Sequence, residues 1–161
     1  MIWSVGYDLG MRYVVTGGAG FIGSNIVKKL VSRGDTVTVI DNLNTGKKGN
    51  LTSVIDKITF LKDTILNTNL LEKETEGIDG VFHQAALASV QDSFSKPEEY
   101  NNVNVNGTEN ILKLAKKNNF KVVYASSSSV YGNPERGPIK EEDSKNPINP
   151  YAETKLQKEE L

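Results

Sequence analysis

Tyr151 and Lys155 stand four residues apart in Asn149-Pro150-Tyr151-Ala152-Glu153-Thr154-Lys155, a spacing that could carry acid–base chemistry. Asn at an N-cap followed by Pro at the first helical position predicts a helix start. The two side chains then stack on one face, one turn apart. A free phenol titrates near pH ~10 and is a poor base at neutrality. A neighbouring ammonium and a helix N-terminus both favour loss of its proton. A hydroxyl from Ser126-Ser127-Ser128-Ser129 could hydrogen-bond the same substrate oxygen. Taken alone, Tyr-x-x-x-Lys can fall on any helix, and four serines can be only a polar loop.

A second stretch, Thr16-Gly17-Gly18-Ala19-Gly20-Phe21-Ile22-Gly23, lies between a β-branched run, Arg12-Tyr13-Val14-Val15, and a segment apolar at 22, 26, 27 and 30. A glycine-rich turn between strand and helix leaves the first helical N–H groups unpaired, which makes a phosphate site. Two registers fit: Gly18-x-Gly20-x-x-Gly23 and Gly17-x-x-Gly20-x-x-Gly23. A second strand, Thr36–Ile40, runs into Asp41. An acidic residue there can accept hydrogen bonds from both hydroxyls of an adenosine ribose and would repel a 2′-phosphate, so NAD is expected over NADP. Asp41 could equally be the turn-former of Asp41-Asn42. A bound nicotinamide cation would add to the groups favouring the Tyr151 phenolate.

These residues need a scaffold, and the apolar pattern supplies one. Strands are predicted at Ile58–Leu61, Gly80–His83 and Lys121–Ala125 besides the two above. A short helical stretch is expected around 51–55. Ile65, Leu66, Leu70 and Leu71 mark another helix, and a long one runs from about Pro97 to Lys117, with Val103, Val105, Ile111, Leu112, Leu114 and Ala115 as core candidates. Alternating helices and uninterrupted apolar strands imply an α/β fold with a doubly wound parallel sheet. Right-handed crossovers give the strand order 3-2-1-4-5, with a ligand beyond the strand ends at the switch between strands 1 and 4. His83, near one such end, reads as a hydrogen-bonded structural residue rather than a catalyst.

With 161 residues, no cysteine, one histidine and a net charge of −1, the chain is one domain's worth of sequence. Disulfides, thiolate catalysis and a Cys- or His-rich metal site are excluded. No basic footprint for nucleic acid or anionic membrane is present. No apolar run approaches the ~18 residues of a membrane span. Residues 1–10 precede a second methionine, lack a basic n-region, and read as a weakly ordered leader before a domain spanning 11–161. A cytoplasmic protein is expected.

The chain resembles the extended short-chain dehydrogenase/reductases, and among them the NAD-dependent nucleotide-sugar epimerases and dehydratases. The matching runs are Thr16–Gly23, Asp41-Asn42-Leu43, Asp63, Phe82-His83-Gln84-Ala85-Ala86, Asn104-Val105-Asn106-Gly107-Thr108, Ser126–Gly132 and Pro150–Lys155. The resemblance selects the Gly17-x-x-Gly20-x-x-Gly23 register. It implies a Rossmann-type fold with Tyr151 as base, Lys155 on the nicotinamide ribose, and Ser127 completing a catalytic triad. Cofactor contacts are implied at Gly17, Gly20, Phe21, Ile22, Gly23, Asp41, Asn42, Asp63 (toward adenine), Thr64, Ala85, Ala86 and Asn104, besides Tyr151 and Lys155.

Within that family the chain is most similar to the 4-epimerases acting on UDP-glucose or UDP-N-acetylhexosamines. Dehydratases usually carry an acidic pair just after the catalytic Ser/Thr, where this chain has Ser128 and Ser129. Some 4-epimerases place a Lys after strand 4 where this chain has Ala88. The implied reaction oxidises C4 of a UDP-sugar, rotates the 4-keto sugar and returns hydride to the other face. Reductase, decarboxylase and dehydratase chemistry, or a non-catalytic NAD-binding module, are the other readings. Family chains run to about twice this length, so the chain is expected to stop before a sixth strand and a substrate lobe and to be inactive alone. A homodimer through the 97–117 and 150–161 helices is a further implication.

Overall fold

In the computed structural model, which describes residues 10–134 and 137–161, β1 (Arg12–Thr16), β2 (Thr36–Ile40), β3 (Thr59–Leu61), β4 (Gly80–His83) and β5 (Lys121–Tyr124) form one parallel sheet in the order β3-β2-β1-β4-β5. The expected Rossmann-type order is therefore observed. The leader lies, apart from Gly10, outside the described residues. Register places Thr16 beside Ile40 on one side and His83 on the other, so three strand ends open at one level.

Burial on both faces of the sheet explains the uninterrupted apolar strands. Val14, Ile40 and Val81 pack with Ile65, Leu71 and Ile111 on one face. Val15, Val37 and Val39 pack with Val27, Leu30 and Leu51 on the other. Burying a side chain of this size contributes about 1.5–3 kcal/mol, and these two layers hold the strand ends in place. Helix α1 (Phe21–Ser32) covers the second layer.

Several elements differ from expectation. Ile65 and Leu66 lie in a turn, and α2 starts only at Thr68 (Thr68–Glu74), because Asn67 caps it by accepting from the Leu70 N–H at 3.2 Å. Ile65 is nevertheless core. The stretch expected to be helical near 51–55 is two short 3₁₀ turns, Lys48–Leu51 and Ile55–Lys57. A short helix not anticipated, α3 (Val90–Ser95), is capped by Ser89, which accepts from the Asp92 N–H.

The long helix is present but not uniform. It comprises α4 (Pro97–Asn101), a π-helical segment (Asn102–Asn106) and α5 (Gly107–Asn118). Of its core candidates Ile111 is fully buried, and Val103, Leu114 and Ala115 pack against the first layer. Val105 and Leu112, seven residues apart on another face, are only half-buried and join neither layer. The last helix, α6 (Pro150–Glu160), packs across α3, α4 and the π segment.

Candidate functional site

The strand ends open into a cleft of about 590 Å³ of non-protein space, part of it continuous with solvent. Gly17 and Gly20 form one wall, Asp41 and Asn42 follow β2, Asp63 and Thr64 follow β3, and Ala85 and Ala86 follow β4. Eight of the expected cofactor contacts thus converge on one space.

The glycine turn distinguishes the two registers. Gly17 has φ +66°, and a Cβ there would lie 2.6 Å from the Ala85 nitrogen, so neither the conformation nor the approach to the β4 loop admits a side chain. A Cβ on Gly23 would lie 2.2 Å from the Gly17 carbonyl oxygen, where α1 packs on the turn. Gly18 instead faces Val39, away from the cleft; Gly17 and Gly20 line the cleft and Gly23 packs against the turn.

Helix α1 begins with no side-chain cap on Gly20 and no acidic residue in its first turn. Its positive dipole end and first N–H groups therefore stay free for an anion. Phe21 and Ile22 hold exposed side chains, 85% and 57%, and neither residue is in the cleft wall. Gly23 is buried behind the turn and also does not line the cleft.

Asp41 is only 7% exposed, and both of its oxygens are engaged by backbone. One oxygen accepts from the Leu43 N–H at 2.8 Å, which is the turn-forming role, and holds Leu43 at φ +62°. The other accepts from the Ala19 N–H at 2.8 Å and so braces the glycine turn. Each carboxylate oxygen keeps a further lone pair for a ligand hydroxyl. Asp63 is similarly braced by the Thr64 N–H and the Asn67 amide.

Lys155 ties α6 to the chain just beyond β5, two residues before Ser127, and neither of these nor Tyr151 lines that cleft. The Asn149 side chain accepts from the Ala152 N–H at 2.8 Å, and Pro150 opens α6 as expected. Lys155 is 4% exposed; its Nζ donates to the Ala125 carbonyl at 3.0 Å and lies 5.7 Å from the centre of the Tyr151 ring. Burial pushes the Lys155 ammonium below its ordinary value. Ser127 Oγ accepts from the Ser129 N–H and from the Ser129 hydroxyl at 2.8 Å, within a short 3₁₀ turn, Ser128–Tyr131. Ser128 and Ser129 thus offer only hydroxyls where an acid–base pair would be needed.

Asn104 is fully buried in the π segment rather than in the cleft wall. Its oxygen accepts from the Leu87 N–H at 2.8 Å, and its amide donates to the Leu87 carbonyl and to Thr154 Oγ1, both at 3.0 Å. It therefore straps the β4 loop to α6. His83 is also fully buried, hydrogen-bonded to Thr16 and Thr108, and structural as expected.

Lys158 was not anticipated. It is 2% exposed, lies 5.2 Å from the centre of the Tyr124 ring, and its pKa falls to about 7 through burial and then the neighbouring Lys155. Other residues that sequence reasoning missed are Asn44, Thr45, Gly46, Gln84, Leu87 and Val103, all in the cleft wall. Gln84 carried a hint, since it stands in the matching run Phe82–Ala86; the constraint on Gly46 shows only in the structure, where a Cβ would meet both Asp41 oxygens at 2.9 Å.

Residues 13–161 match the model of the NAD dependent epimerase/dehydratase family. The chain is 41% identical over 154 residues to a UDP-glucose 4-epimerase of Lactobacillus helveticus, covering 94% of this chain and 46% of that protein. It is 40% identical over 121 residues to a UDP-N-acetyl-alpha-D-glucosaminuronate decarboxylase of Bacillus cytotoxicus, covering 75% and 38%. Among solved structures, a UDP-N-acetylglucosamine 4-epimerase from Methanobrevibacter ruminantium M1 superposes with a TM-score of 0.88 at 42% identity, covering 92% of this chain and 48% of that one. A dTDP-glucose 4,6-dehydratase from Streptomyces venezuelae, solved with NAD bound, gives 0.87 at 34% identity, covering 92% and 49%. The chain spans between 38% and 49% of the length of each.

Proposed function

The chain belongs to the NAD-dependent epimerase/dehydratase family, and from that premise we propose that it is the NAD-binding part of a nucleotide-sugar 4-epimerase-like enzyme. The observation that carries this reading is the uncapped, acid-free start of α1 beside Gly17 and Gly20, with the Asp41 carboxylate lining the same cleft. That arrangement fits a pyrophosphate at the helix and a ribose diol at the acid. NAD, when bound, supplies the hydride acceptor and donor that interconversion of an alcohol and a ketone requires.

The chain's own residues do the remainder. Tyr151 takes the proton of the sugar hydroxyl undergoing oxidation and returns it afterwards. Lys155, fixed by the Ala125 carbonyl, sets a positive charge beside that phenol and reaches the nicotinamide ribose. The Ser127 hydroxyl orients the same sugar oxygen. Hydroxyls at Ser128 and Ser129 favour epimerisation over loss of water, which needs an acid and a base there. The substrate is proposed to be a UDP-glucose-type sugar whose complete binding site requires more chain than these residues provide.

Two outcomes follow. NAD⁺ titrated calorimetrically into the chain should bind saturably, and NADP⁺ at least about tenfold more weakly (~1.4 kcal/mol) because its 2′-phosphate meets Asp41. Equal affinities would overturn the assignment of Asp41. In a longer chain that completes the substrate site, adding UDP-glucose to the NAD⁺ complex separates an enzyme from a non-catalytic binding module through the near-ultraviolet absorbance of reduced nicotinamide. Tyr151→Phe should slow that rise about 100-fold or more; a rise at the original rate removes Tyr151 as the base. Full UDP-glucose to UDP-galactose conversion by these 161 residues would refute the proposal that they need more chain.

A further inference from the structure

A buried chain of hydrogen bonds runs from the glycine turn's strand to α6, and His83 is its middle link. Thr16 and His83 are paired residues at the ends of β1 and β4. Thr16 Oγ1 lies 2.7 Å from His83 Nδ1, and Thr108 Oγ1 lies 2.9 Å from His83 Nε2. The Thr108 hydroxyl donates its one proton to the Asn104 carbonyl at 2.6 Å. Toward Nε2 it can therefore only accept, so Nε2 carries hydrogen.

On the other side the Thr16 oxygen accepts from the Ala85 N–H at 3.3 Å. Its own proton finds an acceptor only if Nδ1 is bare. An imidazolium would leave that hydroxyl proton unplaced in a fully buried site. The electrostatics agree: burial, with Lys158 and Lys155 on α6 nearby, pushes the imidazole well below its ordinary value.

We propose that His83, as the neutral Nε2–H tautomer, is a positioning residue that couples the cleft to the proposed catalytic helix. The sequence of links is Ala85 N–H to Thr16, Thr16 to His83, His83 to Thr108, and Thr108 to the Asn104 carbonyl. The Asn104 side chain then holds Leu87, in the cleft wall, and Thr154, the residue before Lys155. A shift of the β4 loop on filling the cleft is thereby transmitted to the backbone that carries Lys155. The functional consequence rests on the proposed function; the tautomer and the linkage do not.

His83 is the only histidine in the chain, so its imidazole nitrogens give unambiguous NMR signals after ¹⁵N-histidine labelling. The expected spectrum has a protonated Nε2 and a bare Nδ1, unchanged between about pH 5 and pH 8, the window in which free histidine titrates. The opposite tautomer, or protonation within that window, overturns the proposal. Thr108→Val should accelerate hydrogen exchange at the Leu87 amide about tenfold or more, a local opening, while Thr108→Ser should restore it. Unchanged exchange in a folded Thr108→Val protein removes the linkage; if that variant does not fold, the wild-type tautomer still decides. Where calorimetry shows NAD⁺ bound, the His83 nitrogen shifts should move with it. Bound NAD⁺ without such movement defeats the coupling. Absence of NAD⁺ binding instead defeats the proposed function and leaves tautomer and exchange as the judges of the linkage.

Discussion

Replacing Lys158 by Met should stabilise the protein near neutral pH by about 2–4 kcal/mol, an unusually large gain for a single substitution. The Lys158 pKa drops from 10.5 to about 7, with burial the first cause and repulsion from Lys155 the second. At about 1.4 kcal/mol per unit, the cost of burying this amine approaches ~5 kcal/mol, and local relaxation and water entry lower what is measured. The folded state binds fewer protons than the unfolded state between about 7 and 10.5, so stability rises with pH across that window. The penalty is complete below about 7 and gone above 10.5. Urea unfolding of both proteins at neutral pH and again near pH ~10.5 checks this. The advantage of Lys158→Met should shrink sharply at the higher pH; an advantage equal at both would show that packing, not charge burial, is responsible.

Asn104→Ala should act in the opposite direction, costing about 3–5 kcal/mol. Three hydrogen bonds disappear together: Thr154 loses its partner in a buried site, and the Leu87 N–H and carbonyl lose theirs at a half-buried one. Asn104→Asp keeps an acceptor for the Leu87 N–H but removes both donors and buries a carboxylate, so it should be no better tolerated. Because Leu87 lines the cleft and Thr154 precedes Lys155, the loss should appear in NAD⁺ affinity as well as in unfolding. A cost below ~1 kcal/mol, within the range of ordinary substitutions, would mean that the strap is redundant.

Much of the scaffold was legible before any coordinates. The order β3-β2-β1-β4-β5 follows from alternating patterns and the handedness of crossovers. The start of α6 followed from Asn149-Pro150, whose cap chemistry is local. Apart from the start of α2, which a local cap decides, what could not be read depends on partners distant in sequence. Ile65 and Leu66 have the apolar spacing of a helix, yet the Asn67 cap starts α2 beyond them. Val105 and Leu112 fit the helical period, but the sheet covers the face that carries Ile111. Phe21 and Ile22 match the motif, although both are exposed to solvent and neither lines the cleft. Asn104 was placed near the right helix, but its work as a strap requires Leu87 and Thr154 to meet it. Lys158 reads as an ordinary surface lysine until α6 is laid against Tyr124.

The π segment at Asn102–Asn106 sets how this region tolerates changes in length as opposed to changes in composition. Upstream, the Tyr100 hydroxyl is anchored on the Ser89 carbonyl at 2.6 Å; downstream, Thr108 and Ile111 are anchored on the sheet side. A wide π turn holds one residue more than an α turn for about the same rotation, so removing one residue here lets the ring tighten to α-helical pitch with both halves near their present phase, and Tyr100 and the Thr108–Ile111 side keep their seats. Adding a residue to a ring that is already wide would instead turn one half against the other by about 100°. The segment from Tyr100 to Thr108 thus tolerates shortening by one residue better than lengthening, a tolerance set by geometry rather than by which residues fill it.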